Sequence, residues 1–228
     1  MVVMVAQVWG FSSTSGDCSG VWWDVTDMGV PNRVEPAGQR WLTPGMRKYS
    51  CQLTIDTNTV NNCIKLSDNN RKMTRVEEHQ SYPDHPDRFH SWYQLLCREV
   101  LTGRCYWEVQ WCGPVSVSVS YRRISRRGNS GVCWFGRNDH SWSLDSSAGG
   151  YRVCHHYTET SIISSFPDSV SGKVAVYVDV PAGTLSFFEV VSDRLIHIHT
   201  FNTAFTEPLY AGFRLGSWAG SSVSLSPV

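Results

Sequence analysis

Along Val115-Ser116-Val117-Ser118-Val119-Ser120-Tyr121 every second side chain is apolar. A β-strand points successive side chains to opposite faces, so this run predicts a strand with one buried and one wetted face. Shorter runs keep the same rhythm: Cys51, Leu53 and Ile55 alternate with Gln52 and Thr54, and residues 106–111, 174–180, 184–190, 195–201, 209–215 and 222–225 continue it. Pro181-Ala182-Gly183 offers Gly where a turn needs positive φ, so the runs 174–180 and 184–190 are expected to pair as a hairpin. No stretch of twelve or more residues carries apolar positions at helical spacing. Many short strands, frequent turns and no sustained helix predict an all-β chain, an antiparallel two-sheet sandwich.

Residues 1–40 depart from this texture. They are rich in Gly, Ser and Asp, contain a Trp22-Trp23 pair, and follow neither a two-residue nor a 3.6-residue period. They are expected to form a partly ordered extension ahead of the sandwich. The length of 228 residues then fits one large β domain plus that extension.

Composition narrows the function classes. Twenty Lys and Arg balance twenty Asp and Glu, so the chain lacks the single-signed field that draws in nucleic acid. Ten Trp, nine Tyr and nine Phe supply ample apolar surface for a core, and wholesale disorder is excluded. No run approaches the roughly 18 apolar residues of a membrane-spanning helix, so membrane insertion is not expected. The apolar start, residues 1–9, has no basic flank and no small-residue cleavage site, against a signal peptide. Eight cysteines form no C-x-x-C pair, and none of the nine Asn begins an N-x-S/T site. Together these favour a cytoplasmic location.

Candidate chemistry is sparse. There is no G-x-S-x-G elbow, and Cys97, Cys105 and Cys112 each lie in or beside an alternating run, where a small core residue is the simpler reading. His197 and His199, two apart on an expected strand, would share a face, whereas His155 and His156 would not. One such pair is not a metal site, so no cofactor is expected. The run Arg122-Arg123-Ile124-Ser125-Arg126-Arg127 reads either as a solvated hairpin loop or as a contact for an acidic partner, with Ser125 a phosphorylation target after a double Arg. Trp107 and Phe187 belong to structural strands; Trp92 and Trp142, set among polar turn residues, read as exposed anchors or as caps on the sandwich edge.

The motifs assembled along the chain carry a resemblance. Leu42-Thr43-Pro44-Gly45-Met46-Arg47-Lys48-Tyr49, Leu53-Thr54-Ile55-Asp56 and Ser67-Asp68-Asn69-Asn70-Arg71-Lys72 come first. Leu96-Cys97-Arg98-Glu99, Gly103-Arg104-Cys105-Tyr106-Trp107-Glu108-Val109 and the stretch 178–187 follow in order. From about Gln39 onward the chain resembles the PRY-SPRY family, most closely its fish representatives, with residues 41–90 as the PRY portion and 91–228 as the SPRY portion. The resemblance implies a bent jelly-roll sandwich that recognises a protein or peptide and performs no catalysis. It implies settings such as tripartite-motif ubiquitin ligases, NACHT and leucine-rich-repeat receptors of innate immunity, or stonefish-type pore-forming toxins. The RING cysteines, phosphate loop and repeats of those proteins do not occur here, so the oligomeric state would be set by absent parent domains. A secreted lectin-like or toxin-tail module stands as the alternative.

By the same resemblance the partner pocket falls on the end loops around Arg88 to Trp92, Arg122 to Arg127, Tyr151 to His156 and Phe201 to Phe205. The expected contact residues are Arg88, Trp92, Arg122, Arg126, Trp142, Tyr151, His155 and Phe201, with Arg88, Trp92 and His155 expected to serve binding more than stability. One departure stands out: Tyr151-Arg152-Val153-Cys154-His155 has Cys154 where the family's Tyr-x-Val-Trp-His pattern puts an aromatic on the expected partner-facing wall.

Overall fold

The computed structural model describes residues 43–147, 150–164 and 169–227; the expected extension over 1–40, with its Trp22-Trp23 pair, lies outside the described residues. Thirteen strands are described: β1 (Ile64–Ser67), β2 (Lys72–Arg75), β3 (Gln94–Leu96), β4 (Arg104–Cys112), β5 (Val115–Tyr121), β6 (Ser141–Ser147), β7 (Gly150–His155), β8 (Thr158–Ile163), β9 (Ser171–Asp179), β10 (Thr184–Val191), β11 (Arg194–Asn202), β12 (Leu209–Leu215) and β13 (Ser222–Leu225). They form a seven-stranded sheet, β1-β2-β13-β4-β9-β10-β11, and a six-stranded sheet, β3-β12-β5-β6-β7-β8. Every pair of neighbouring strands is antiparallel. Among the described residues the one α-helix is a five-residue turn, α1 (Thr43–Arg47).

Alternation explains the interior. Val115, Val117, Val119 and Tyr121 of β5 face Trp107 and Val109 of β4, Val174, Val176 and Val178 of β9, and Leu185 and Phe187 of β10 in one core. The opposite face of the seven-stranded sheet carries a second cluster, where Met46 of α1 covers Tyr106, Ala175 and Phe188. The hairpin around Pro181 forms as expected, with Asp179 opposite Thr184. Its Gly183 has φ +68°, and a Cβ there would stand 2.3 Å from the carbonyl oxygen of Thr203.

Two expectations fail for physical reasons. The serine face of β5 is not wetted: all seven residues of the strand are buried, Ser116, Ser118 and Ser120 fully. The connection between β5 and β6 folds back over this face, with Phe135 against Leu96 and Gly212, and Gln94 Nε2 donating to the carbonyl of Cys133. Small hydroxyls let that layer approach closely, so the serines serve packing and not solvation. The run from Cys51 to Ile55 is no strand either. It crosses from one sheet to the other, bridging once at Ser50 to Tyr106 of β4 and once at Ile55 to Cys97, the residue after β3.

Trp107 is buried at the centre of the main core. Replacing it with Ala is expected to lower unfolding stability by about 3–5 kcal/mol, through lost burial plus an unfilled cavity. Urea unfolding followed by circular dichroism measures this, and a loss under about 1 kcal/mol would mean the core is assigned to the wrong layer.

Candidate functional site

The eight expected contact residues separate into four environments. The first centres on Trp142 at the start of β6, which is 2% exposed. Its indole stacks on the imidazole of His155 (centroids 4.6 Å apart, 8° between planes) and meets Tyr121 and Phe205 edge-on at 5.4 and 5.3 Å. Offset stacks and edge contacts of this kind add to plain burial. Trp142 is therefore a floor under the site and not an exposed anchor, which corrects one of the two readings of it. Above it, His155 meets Phe201 of β11 at 6.2 Å, and Phe201 meets His199 at 4.5 Å.

These side chains border a cavity of about 350 Å³ between β7, β8 and β11, lined by Val153, His155, Thr158, Thr160, His199 and Phe201, with His156 at its corner. Its volume falls at the small end of the roughly 300–1,000 Å³ range of binding pockets. The β7–β8 turn forms its lip: His155 pairs with Thr158, leaving His156 and Tyr157 as a two-residue turn at φ +48° and +61°. Positive φ at both positions matches the twist of a tight hairpin but normally selects Asn-Gly. Two bulky rings held there are strained, and Tyr157 projects with 60% exposure while its hydroxyl end lies over Gly131.

Electrostatically the cavity is close to neutral. His155 Nδ1 lies 2.9 Å from the carbonyl oxygen of Ser141. That contact puts the proton on Nδ1 and leaves Nε2 as an acceptor. Burial lowers the pKa of His155 against the raising effect of this carbonyl, and burial likewise lowers those of His199 and His197.

The second environment is the basic run, and it is locked in place. Both Asp56 Oδ2 and Asp87 Oδ2 lie 2.8 Å from Arg122 Nη2. Arg126 donates to the carbonyls of Ile124 and Arg122 and lies over the Phe89 ring, where burial pushes its pKa down to about 10. Arg123 pairs with Glu207. Ser125 is exposed on this loop.

Arg88 belongs beside them and corrects its expected role. At 3% exposure it donates to the carbonyls of Thr57, Val60 and Pro83 with Tyr82 under its guanidinium, a strap holding the loop before β1. The third environment is Trp92, half-buried against Trp134 at 4.3 Å, while Arg137 and Arg214 cover Trp134. The fourth is Tyr151, which is no loop residue: it is buried on β7, edge-on to Trp111 of the other sheet, and donates to Glu189 Oε1.

Two further readings change. Cys154 is buried on the face of β7 away from the cavity, near Asp145 and Gly136, so the missing aromatic does not thin the cavity wall. His197 and His199 do not share a face. A bulge at Ile198 sets Phe187 opposite His199 and Phe188 opposite His197, and those two phenylalanines lie on opposite faces of the sheet. Among the described residues, no three His, Cys, Asp or Glu side chains converge closely enough to hold a metal ion. Val153 lay within the expected segment Tyr151 to His156, but Tyr157, Thr158 and Thr160 were not singled out from sequence; the two-residue spacing between β7 and β8 was their only signal, and its lack of Gly concealed it.

Comparisons with known proteins agree with this architecture. The pattern of the SPRY-associated domain (PRY) matches residues 53–101, and that of the SPRY domain matches residues 104–226. The alpha subunit of neoverrucotoxin from Synanceia verrucosa is 42% identical over 172 residues, which is 74% of this chain and 24% of that protein. Tripartite motif-containing protein 16 of Mus musculus is 35% identical over 173 residues, 74% of this chain and 30% of that one. The chain thus spans a quarter to a third of the length of these relatives. Of solved structures, stonustoxin superposes with a TM-score of 0.74 at 37% identity, over 79% of this chain and 29% of that one. The PSpry domain of TRIM65 shares the fold with a TM-score of 0.72 at 24% identity, over 88% of this chain and all of that domain. No helix among the described residues is long and apolar enough to cross a membrane.

Two outcomes follow from the geometry. A histidine whose folded pKa is lowered takes up its proton more readily when unfolded, so it contributes stability above about pH 6.5 that is lost as pH falls. The urea midpoint is expected to drop between pH 7.5 and 5.5, and His155→Gln to flatten that slope; an unchanged slope would remove the half-buried imidazole from the account. Arg88→Ala, by removing the charged donor to one buried and two part-buried carbonyls, is expected to lower stability by about 3 kcal/mol, checked by the same unfolding curve.

Proposed function

The chain belongs to the PRY-SPRY family, and from that premise we propose that it recognises a folded protein or an extended peptide by seating one apolar anchor side chain in the cavity between β7, β8 and β11. SPRY domains serve as protein-interaction modules, and the observation that carries the site is the cavity itself: aromatic and aliphatic walls, a stacked His155–Trp142 floor, and a strained lip with Tyr157 exposed. A central pocket ringed by hydroxyls and aromatics is where binding energy concentrates in protein interfaces. An interface of ordinary size, about 1,600 Å² in total, would extend beyond it onto neighbouring loops. The reading takes the domain as non-catalytic and places it in the cytoplasm, in signalling of the kind tripartite-motif proteins carry.

Of the residues first expected to touch a partner, His155 and Phe201 keep a place at the cavity. Trp142 acts beneath it, and Arg122, Arg126, Trp92, Tyr151 and Arg88 drop out as direct contacts. A second reading has one specific support, the 42% identity to a toxin subunit over 74% of this chain. On that reading the same cavity belongs to a secreted binding tail and takes a glycan.

Tyr157→Ala combined with Thr160→Arg would remove the lip and block the cavity with a charge, while leaving the core untouched. Affinity capture from a cell extract, with the Trp218→Ala variant as a remote exposed control, is expected to lose its retained protein about tenfold or more in the double variant only. Equal retention by all three chains would overturn the site, and retention of glycans in place of proteins on an array would favour the second reading.

A further inference from the structure

Cys51 and Cys105 are free thiols, and they approach one another where the crossing segment joins the first long strand. The backbone N–H of Cys51 donates to the carbonyl of Tyr106 at 3.0 Å, and the N–H of Tyr106 donates back to Tyr49 at 2.8 Å. This clamp brings the Cys51 side chain against β4, with Sγ 3.6 Å from the Tyr106 carbonyl, one residue from Cys105. Cys105 turns inward at the same point, its own thiol 3.6 Å from the carbonyl of Thr102. Both side chains lie on the inner side of the seven-stranded sheet, Cys105 in the main core and Cys51 packed against that same core. Cys51 also lines a groove of about 580 Å³, beside Leu53, Thr54, Arg71 and Arg98, so small solutes reach it from outside.

We propose that Cys51 and Cys105 form a redox-responsive pair, oxidised by hydrogen peroxide to a disulfide that pins the crossing segment to β4. The neighbouring Cys51 thiol lowers the pKa of Cys105, while Cys105 and burial raise that of Cys51, so Cys105 is the first of the two to form a thiolate. That thiolate attacks one peroxide oxygen: an S–O bond forms, the O–O bond breaks, and the departing hydroxide takes a proton to become water. Cys51 then attacks the sulfenic sulfur. The S–S bond forms, the S–O bond breaks, and the hydroxide leaves as a second water with the Cys51 proton. Two thiols are oxidised and one peroxide is reduced. Cys97, fully buried nearby, has its pKa raised well above the usual range by burial and does not compete as a thiolate.

The bond would close a long loop running from residue 51 to residue 105, holding the segment before β1, with its Arg88 strap, to the seven-stranded sheet. Such closure restricts the unfolded chain and raises the melting temperature. The chain is treated with hydrogen peroxide, remaining thiols are capped with N-ethylmaleimide, and tryptic peptides are read by mass spectrometry. The expected product links peptide 49–65 to peptide 105–122 with a loss of about 2 Da per bond. It persists in the Cys63→Ser/Cys112→Ser variant, which leaves one cysteine in each peptide, and vanishes in Cys51→Ser and in Cys105→Ser. Oxidised wild type is expected to melt about 5–10 °C higher, reversed by dithiothreitol. The proposal falls if the linked product is absent while other thiols oxidise, or if it survives in either single variant. It stands independently of partner binding, because no step of the assay uses a ligand.

Discussion

The structure depends on what the two sheets bury between them. Each sheet satisfies its own backbone hydrogen bonds, so the layers are joined by facing side chains and by a few crossing segments such as residues 50–55. That burial is non-directional and holds only when the interior is filled to the density of a crystal. Trp107, Trp111, Tyr151 and Phe187, drawn from both sheets, do the filling, and Tyr151 reaches far enough to contact Trp111 and Glu189 opposite. Where β8 and β11 end their sheets, the facing side chains become threonine and histidine, and the interior opens into the cavity. The candidate site is thus the margin of the core.

A second layer decides which surfaces are free. The connection from β5 to β6 lies over the outer face of the six-stranded sheet, and its arginines are held from two directions. Arg122 is tied to Asp56 and Asp87, from the loops before β1 and β3, while Arg126 spans Phe89 and its own backbone. Two of the four positive charges in this run, Arg122 and Arg123, are paired with carboxylates, and Arg122 joins the PRY and SPRY portions to each other. Arg88 works within the PRY portion alone, tying its loops together through the carbonyls of Thr57, Val60 and Pro83.

Much of the architecture was legible because alternation is set by backbone geometry. The strands at Leu209–Leu215 and Ser222–Leu225 have the bounds that their period indicates. Alternation reports two different faces but not what covers each, so Ser116, Ser118 and Ser120 looked wet although Phe135 and its neighbours lie over them. It also assumes an unbroken ladder, and one extra residue at Ile198 reversed the facing of His197 relative to His199. The site was legible only in part. Loop position favoured Arg88 and Tyr151, yet a long polar side chain near a turn can equally reach inward to orphan carbonyls or across the core. The lip residue Tyr157 escaped notice, and His156 entered only as the end of a segment, because tight turns are recognised by Gly and Asn, and this one holds rings in the same backbone conformation under strain.

That strain bears on how the cavity would select. Positive φ on two bulky residues costs on the order of 1–3 kcal/mol each, and it persists because the β7–β8 register and the seat of Tyr157 over Gly131 hold the turn. A lip held this firmly does not reshape itself around each visitor, so discrimination falls to cavity shape and to the few polar atoms at its wall. His155, with its Nδ1 proton committed to Ser141, presents Nε2 as an acceptor, and Thr158 and Thr160 add hydroxyls. Val153 and Phe201 supply apolar wall. Under the recognition reading, an uncharged anchor able to donate one hydrogen bond fits this surface better than a carboxylate, which would lose its hydration and gain no cation at neutral pH. Lowering the pH reverses that preference, because protonated imidazoles would repel a donor and attract an acid.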